Sequence, residues 1–318
     1  MGKFLALLIM LSVMAGCGAK STATDNETFT EETVDVSLPA FNSDSAYQFV
    51  SKQVEFGPRV PNTPAHEAAA AWLASELKRH GAEVTEQKAD LKAFDGTVLK
   101  STNIMGSFNP EKDNRLLLLA HYDTRPWADE DADPANHKKP IDGANDGASG
   151  VGVLLELARV FNANNPGIGI DILFVDAEDY GVTDNDESWA MGTRYFAQNP
   201  IKPGYKPSQA ILLDMVGGKD AVFPKEYFSM QSAPSLDAAI RSAAAKAGHA
   251  DRFPDRFGSA VTDDHVELIK AGIPSVDILD FRTEGFAPTW HTMQDNMQNI
   301  DKETLKAVGE TIISFIYQ

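Results

Sequence analysis

Four short runs of almost unbroken apolar residues constrain this chain more than anything else in it. They are Leu116–Ala120 (LLLLA), Ile170–Val175 (IDILFV), Ala210–Leu213 (AILL) and Ser275–Leu279 (SVDIL). A strand with one wet face alternates apolar and polar residues, whereas a strand covered on both faces does not need to. The four runs therefore read as central strands. Helical patterns separate them. Gly150–Phe161 sets Val151, Leu154, Leu155, Ala158 and Phe161 on one stripe, and Trp189–Gln198, Ser235–Ala247, Asp264–Ala271 and Lys302–Ile316 follow. Upstream, Thr63 and Pro64 read as the cap and first residue of a helix that runs to a stop at Gly81. Trp72 on that helix is expected in the core, and His66 and His80 on its surface. Glu83–Leu91 and Thr97–Gly106 suggest a hairpin. Strands alternating with helices predict an α/β chain: a three-layer α/β/α fold with a mixed, mostly parallel central sheet.

The chemistry-bearing residues follow the strands. LLLLA ends in His121-Tyr122-Asp123, IDILFV in Asp176-Ala177-Glu178-Asp179, and AILL in Asp214, while SVDIL leads through a loop to Trp290-His291. Asp146 sits in the turn GANDGASG just before a helix, where the helix dipole favours an ionised carboxylate. In open α/β sheets, sites form at the carboxyl ends of strands. Any single Asp after a strand is more often a turn or a cap. The adjacent Glu178-Asp179 pair is different, because two acids beside a buried strand repel and need a compensating cation. With His121 and Asp123 close by, the pattern points to a metal held by nitrogen and oxygen donors, which suits zinc.

Composition narrows the alternatives. The 318 residues include 46 acids against 28 bases, for a net charge of −18, so a phosphate-neutralising nucleic-acid surface is not expected. A content of 43% hydrophobic residues separates the chain from acidic disordered tails. The single cysteine excludes an intrachain disulfide and any thiolate zinc cluster.

That cysteine, Cys17, follows Lys3, an apolar stretch from Phe4 to Met14, and the small residues Ala15 and Gly16. The segment resembles a bacterial lipoprotein signal peptide with the lipid on Cys17; an ordinary cleaved signal is the plainer reading. The expected organisation is a signal over 1–16, a lipidated cysteine and flexible polar tether over 17–42, and one catalytic domain over 43–318. The expected location is the bacterial cell envelope, periplasmic or anchored to a membrane. No oligomerisation signal stands out, and a monomer is expected.

Taken in order, HYD, NDGASG, the acid pair, LLD and the late histidine resemble the zinc aminopeptidase-like (M28) superfamily, and the likeness begins at FGPRVPNTPAHEAAAAWL. In its two-zinc aminopeptidases that resemblance places His121 and Asp214 on one metal and Asp179 and His291 on the other. Asp146 then bridges them, Glu178 is the general base and Asp123 orients His121.

Other segments are similar to one branch, the bacterial glutaminyl-peptide cyclotransferases. They are Trp290 before His291, the doubled acid Asp263-Asp264 before His265, Trp189 beyond the acid pair, HYDTRPWADEDADP and LLDMVGG. That branch implies one zinc per chain on Asp146, Asp179 and His291, with Asp179 in place of the usual Glu. It implies Glu178 as the acid/base group and Asp214 and Asp263 as a hydrogen-bonded carboxylate pair. Apolar walls come from Trp189, Trp290 and Phe286. The implied reaction closes an N-terminal Gln of a peptide or protein onto its own amide carbon, releasing ammonia and leaving pyroglutamate. An aminopeptidase uses the same metal and the same glutamate, and a surface-anchored binding protein on the same fold is a third reading. Trp127 is assigned equally to the site entrance and to packing beneath the acidic loop, His265 to orienting the doubled acid, and His137 and His249 to solvated loops.

Overall fold

A six-stranded sheet occupies the middle of the molecule, in the order β1-β2-β4-β3-β5-β6. The strands are β1 (Glu83–Lys92), β2 (Val98–Phe108), β3 (Arg115–His121), β4 (Gly169–Val175), β5 (Gln209–Asp214) and β6 (Ser275–Leu279). Strands β4, β3, β5 and β6 run parallel, and the β1–β2 hairpin joins antiparallel through β2 and β4. The four apolar runs are thus the four parallel strands, and the predicted mixed, mostly parallel sheet is the one observed.

The computed structural model describes residues 38–318, which form one compact unit. The expected signal, Cys17 and all but the last few tether residues lie outside the described residues. No helix among the described residues is long and apolar enough to cross a membrane.

Side chains leave the strands alternately and fill two cores. Leu116, Leu118, Ala120, Ile170, Ile172, Phe174, Ile211 and Leu213 point to one face. There they meet α1 (Ser43–Glu55), α2 (Pro64–Arg79), α3 (Ala148–Ala163), α6 (Pro234–Lys246) and α8 (Lys302–Ile316). Leu117, Leu119, Leu173, Val175 and Leu212 point the other way, towards α4 (Met191–Gln198) and α7 (Asp264–Lys270). Burying each Leu or Ile is worth roughly 1.5–3 kcal/mol. Both faces are therefore covered, which is why the strands carry so few polar residues. The remaining elements are α5 (Tyr227–Ser232) and a short β7–β8 hairpin (Phe281–Arg282 and Gly285–Phe286).

Three expectations need correcting. His66 and His80 are not surface residues. His66 is buried with its Nε2 2.8 Å from both oxygens of Asp176, and its ring stacks on Tyr122. His80 is buried edge-on against Phe49. The helix expected from Trp189 starts at Met191, because Ala190 takes a left-handed φ of 52° and breaks the run.

Register brings the strand ends to one rim. His121 pairs with Val175, Leu119 with Leu212, and Asp214 with Leu279. Whatever follows these residues emerges on the same side of the sheet.

Candidate metal centre

That rim carries a cleft of about 360 Å³ lined by Asp146, Glu178, Asp179, Asp214 and Asp263 together with Trp189, Phe286, Trp290 and His291. Every residue to which the cyclotransferase resemblance gives a role is on this one wall. A larger open groove, of about 880 Å³, runs along α2 and the β1–β2 hairpin. It is walled by α2 alanines and by exposed charges of both signs, with no comparable convergence of donors.

The cleft is built from tight turns, several of them with a left-handed residue. Asp146 precedes Gly147, whose φ of 94° opens α3; a side chain there would press on the Asp123 carbonyl and the His121 ring. The Asn145 and Asp146 amides donate to the two oxygens of buried Asp295, at 2.7 and 3.0 Å. Beneath the same loop, buried Arg59 donates to the carbonyls of Tyr122, Asp142 and Gly143. Neither Asp295 nor Arg59 stands out in the sequence, although Arg59 lies in the segment where the family likeness begins. Burial and neighbouring Asp146 push the Asp295 carboxyl up to about 8.

Glu178 and Asp179 leave β4 through Ala177, another left-handed residue. Their amides donate to Asp123 Oδ1 and Oδ2, at 3.1 and 3.2 Å. Asp123 therefore holds the acid pair itself. Its approach to His121 Nδ1, at 3.5 Å, is looser than a formed hydrogen bond. Left-handed φ values recur at Ala190 (52°), Met215 (49°) and His291 (54°). Such non-glycine conformations cost on the order of 1 kcal/mol or more each and collect at functional sites.

Asp146, Asp179 and His291 bring three buried donors within 4.8 Å of one another. His291 Nε2 is 3.2 Å from Asp179 Oδ1 and 3.6 Å from Asp146 Oδ2. Asp179 Oδ2 is buried without a partner, which a cation would supply. Two carboxylates and an imidazole suit zinc, and three protein donors leave a position open. A second group, His121, Asp146 and Asp214, lies beside the first and shares Asp146. Here His121 Nε2 sits 3.1 Å from Asp146 Oδ1 and 3.3 Å from Asp214 Oδ1. Burial alone would lower the His121 pKa, but Asp123, Asp146 and Asp214 around it hold it well above its ordinary value. A protonated His121 is itself a cation between the two acids, standing where a second metal would.

Burial pushes Glu178 well above the ordinary glutamate range, with Asp263 and Asp179 adding to the rise. Its carboxylate receives no hydrogen bond from a protein donor among the described residues. Burial, then Asp214, raises Asp263 to about 7; burial, then Asp146, raises Asp214 to about 6. No hydrogen bond joins Asp214 and Asp263 among the described residues, so the carboxylate pair implied by the resemblance stands as an expectation.

The aromatic wall is continuous. Trp290 stacks on His291 at 3.8 Å and on Phe286 at 4.3 Å, and Trp189 lies parallel to His291 at 6.1 Å. The Trp189 indole donates to the Val182 carbonyl at 3.1 Å, and the Arg125 guanidinium covers both Trp189 and Trp127. Trp127 is half-buried against Tyr180 and Phe94, next to the cleft and outside it. His265 is buried and bonds to Glu226 at 3.0 Å, and with Asp263 and Asp277 it forms a third group of buried donors within 4.8 Å of one another. His137 and His249 are half-buried in loops, bonded to the Asp131 carbonyl and to Glu310.

The peptidase family M28 model matches residues 103–316, two thirds of the chain and all of this rim. The chain belongs to peptidase family M28. Two solved members of similar fold are each 52% identical and cover 89% of the chain. One is a glutaminyl cyclase of Bacteroides thetaiotaomicron bound to N-acetylhistamine, with a TM-score of 0.88 and 99% of its own length matched. The other is described as a leucine aminopeptidase precursor of the same organism, with a TM-score of 0.87 and 99% matched. The glutaminyl-peptide cyclotransferase of Bos taurus is 24% identical over 292 residues, covering 82% of this chain and 78% of its own. The family is zinc-dependent, and the Asp146–Asp179–His291 and His121–Asp146–Asp214 groups are the candidate metal sites on this rim.

Proposed function

We infer that the protein is a glutaminyl-peptide cyclotransferase, an acyl-transferring enzyme that converts N-terminal Gln of peptides and proteins to pyroglutamate with release of ammonia. One observation carries this reading: a free, buried Glu178 stands beside a three-donor metal group inside a cleft walled by Trp189, Trp290 and Phe286. The strong likeness to a bacterial glutaminyl cyclase supports it.

Asp146, Asp179 and His291 would hold a single zinc. When bound, zinc supplies a Lewis acid for the side-chain carbonyl oxygen of the substrate. The chain's own residues do the rest. The aromatic walls fold and desolvate the flexible glutamine side chain, so that its α-amine lies against its own amide carbon. Glu178 accepts the proton that the amine loses on attack and returns it to the departing nitrogen, which leaves as ammonia. Asp214 and Asp263, sharing a proton, accept and donate hydrogen bonds to the substrate nitrogens. No water is consumed, and excluding it from the cleft separates this reaction from hydrolysis.

An aminopeptidase is the second reading. The His121–Asp146–Asp214 group and the aminopeptidase description of one similar structure favour it. Mass spectrometry of a Gln-initial peptide separates the two. Loss of one ammonia with the chain intact supports cyclisation, and free Gln supports hydrolysis.

The segment before residue 38 motivates a companion proposal. Residues 1–16 act as a lipoprotein signal, Cys17 carries a lipid and 17–42 tethers a monomeric catalytic domain, 43–318, to a membrane of the cell envelope. A Cys17→Ala protein that still fractionates with membranes overturns the anchor.

A further inference from the structure

The cleft is charged in one sense only. Six acids and one histidine line it, with no lysine or arginine. Five of those acids are already accounted for. Asp146 and Asp179 belong to the candidate metal group, Glu178 is the proposed acid/base, and Asp214 and Asp263 are the two raised acids proposed to face the substrate nitrogens. The sixth, Asp186, has no role in that chemistry.

Asp186 opens a single 3₁₀ turn, Asp186–Ser188, in the loop between β4 and α4. It is exposed, whereas the other five are buried. Its neighbour Glu187 faces Arg194 at 3.7 Å and Lys270 at 3.8 Å, but Asp186 has no ion-pair partner among the described residues. With exposed Thr183, it stands where the cleft meets solvent.

A bound glutamine places its side chain at the buried end, beside His291 and Glu178. Its own carbonyl and the residues that follow leave through the open end, whose exposed rim is made by Thr183, Asp186, Ser259 and Ala260. The whole chain adds a long-range field of the same sign, at −18.

Resting on the cyclase reading, we propose that Asp186 sets the preference of the enzyme for the residues just after the glutamine, favouring lysine or arginine and disfavouring aspartate or glutamate. One exposed charge facing another across a wet cleft is worth a factor of up to about five, and it fades as salt screens it. Asp186 acts on the passing chain, away from the reacting atoms, so the effect falls on substrate discrimination.

The test compares kcat/KM for Gln-Lys-Ala, Gln-Ala-Ala and Gln-Glu-Ala amides in the full-length zinc-loaded enzyme, in Asp186→Asn and in Asp186→Lys. Within each protein the neutral peptide is the reference. The wild type should prefer the lysine peptide to the glutamate peptide at least threefold at low ionic strength. The ratio should collapse in Asp186→Asn, invert in Asp186→Lys, and shrink in the wild type at about 0.5 M salt. An identical ratio in wild type and Asp186→Asn overturns the assignment to Asp186 while leaving the cyclase intact. Failure of the wild type to release ammonia from the neutral peptide overturns the cyclase reading, and this inference with it.

Discussion

His121 Nε2 lies 3.1 Å from Asp146 Oδ1, on the side of that carboxylate away from His291. One aspartate thus faces two histidines, and the occupancy of the His121 side decides between one metal and two. If a proton on His121 neutralises Asp146 and Asp214, purified enzyme dialysed against metal-free buffer retains one zinc per chain. Elemental analysis of His121→Asn should still find about one equivalent, and His291→Asn close to none. Two equivalents in the wild type, with one lost from His121→Asn, would establish the two-metal arrangement of the aminopeptidases.

Glu178→Gln keeps the shape of the side chain and removes its proton-accepting oxygen. Zinc content should be unchanged, and kcat for ammonia release should fall by about 10²–10⁴, the usual contribution of a positioned acid/base group. Turnover within a few fold of wild type removes Glu178 from the role.

Gly181 lies directly against the Trp189 ring, so that any β-carbon there would collide with the indole. Gly181→Ala should push Trp189 off its place beside His291 and widen the cleft. Lost apolar contact with substrate of about 1–2 kcal/mol raises KM roughly tenfold, with kcat changed less. Steady-state kinetics measures the split; a fall confined to kcat would show that Trp189 does not bind substrate.

Glu226, the partner of His265, provides a pH test of the fold. Burial alone would raise its pKa, but the bond from His265 and the Ser229 and Phe228 amides outweigh burial and hold it at about 2, against an ordinary 4.5. A depressed carboxylate stabilises the fold above its unfolded pKa and loses that contribution as pH falls. The pair therefore contributes on the order of 3 kcal/mol at neutral pH, fading between about pH 4.5 and 2. Glu226→Gln should lower the urea midpoint clearly at pH 7 and much less near pH 3. An equal loss at both pH values would assign the effect to packing.

Much of this is legible in the sequence because it is local. The parallel strands announce themselves as apolar runs, Thr63-Pro64 as a helix start, and Asp146, Glu178, Asp179 and His291 by following strands or opening a helix. What escapes is non-local or short. His66 reads as a surface histidine because its partner, Asp176, is 110 residues away. Arg59 and Asp295 are single ordinary residues until the fold sets them under the Asp146 loop. Helix α1 escapes because its apolar positions, Val50 and Val54 among them, are sparse, and α5 and the β7–β8 hairpin are too short to show a period. The expected Asp123–His121 contact has the right neighbours and the wrong emphasis, since Asp123 commits both oxygens to the Glu178 and Asp179 amides.

Asp295 has a consequence for how the enzyme comes into being. It grips the loop that carries Asp146, and it lies four residues beyond His291, so a candidate donor and the clamp for another arrive together after β6, the last strand of the central sheet. A nascent chain that stops short of them can complete the sheet through β6 yet has neither part. If Asp146, Asp179 and His291 hold the zinc, that group is completed only after the sheet, and a chain cut before residue 291 should hold none between Asp146 and Asp179.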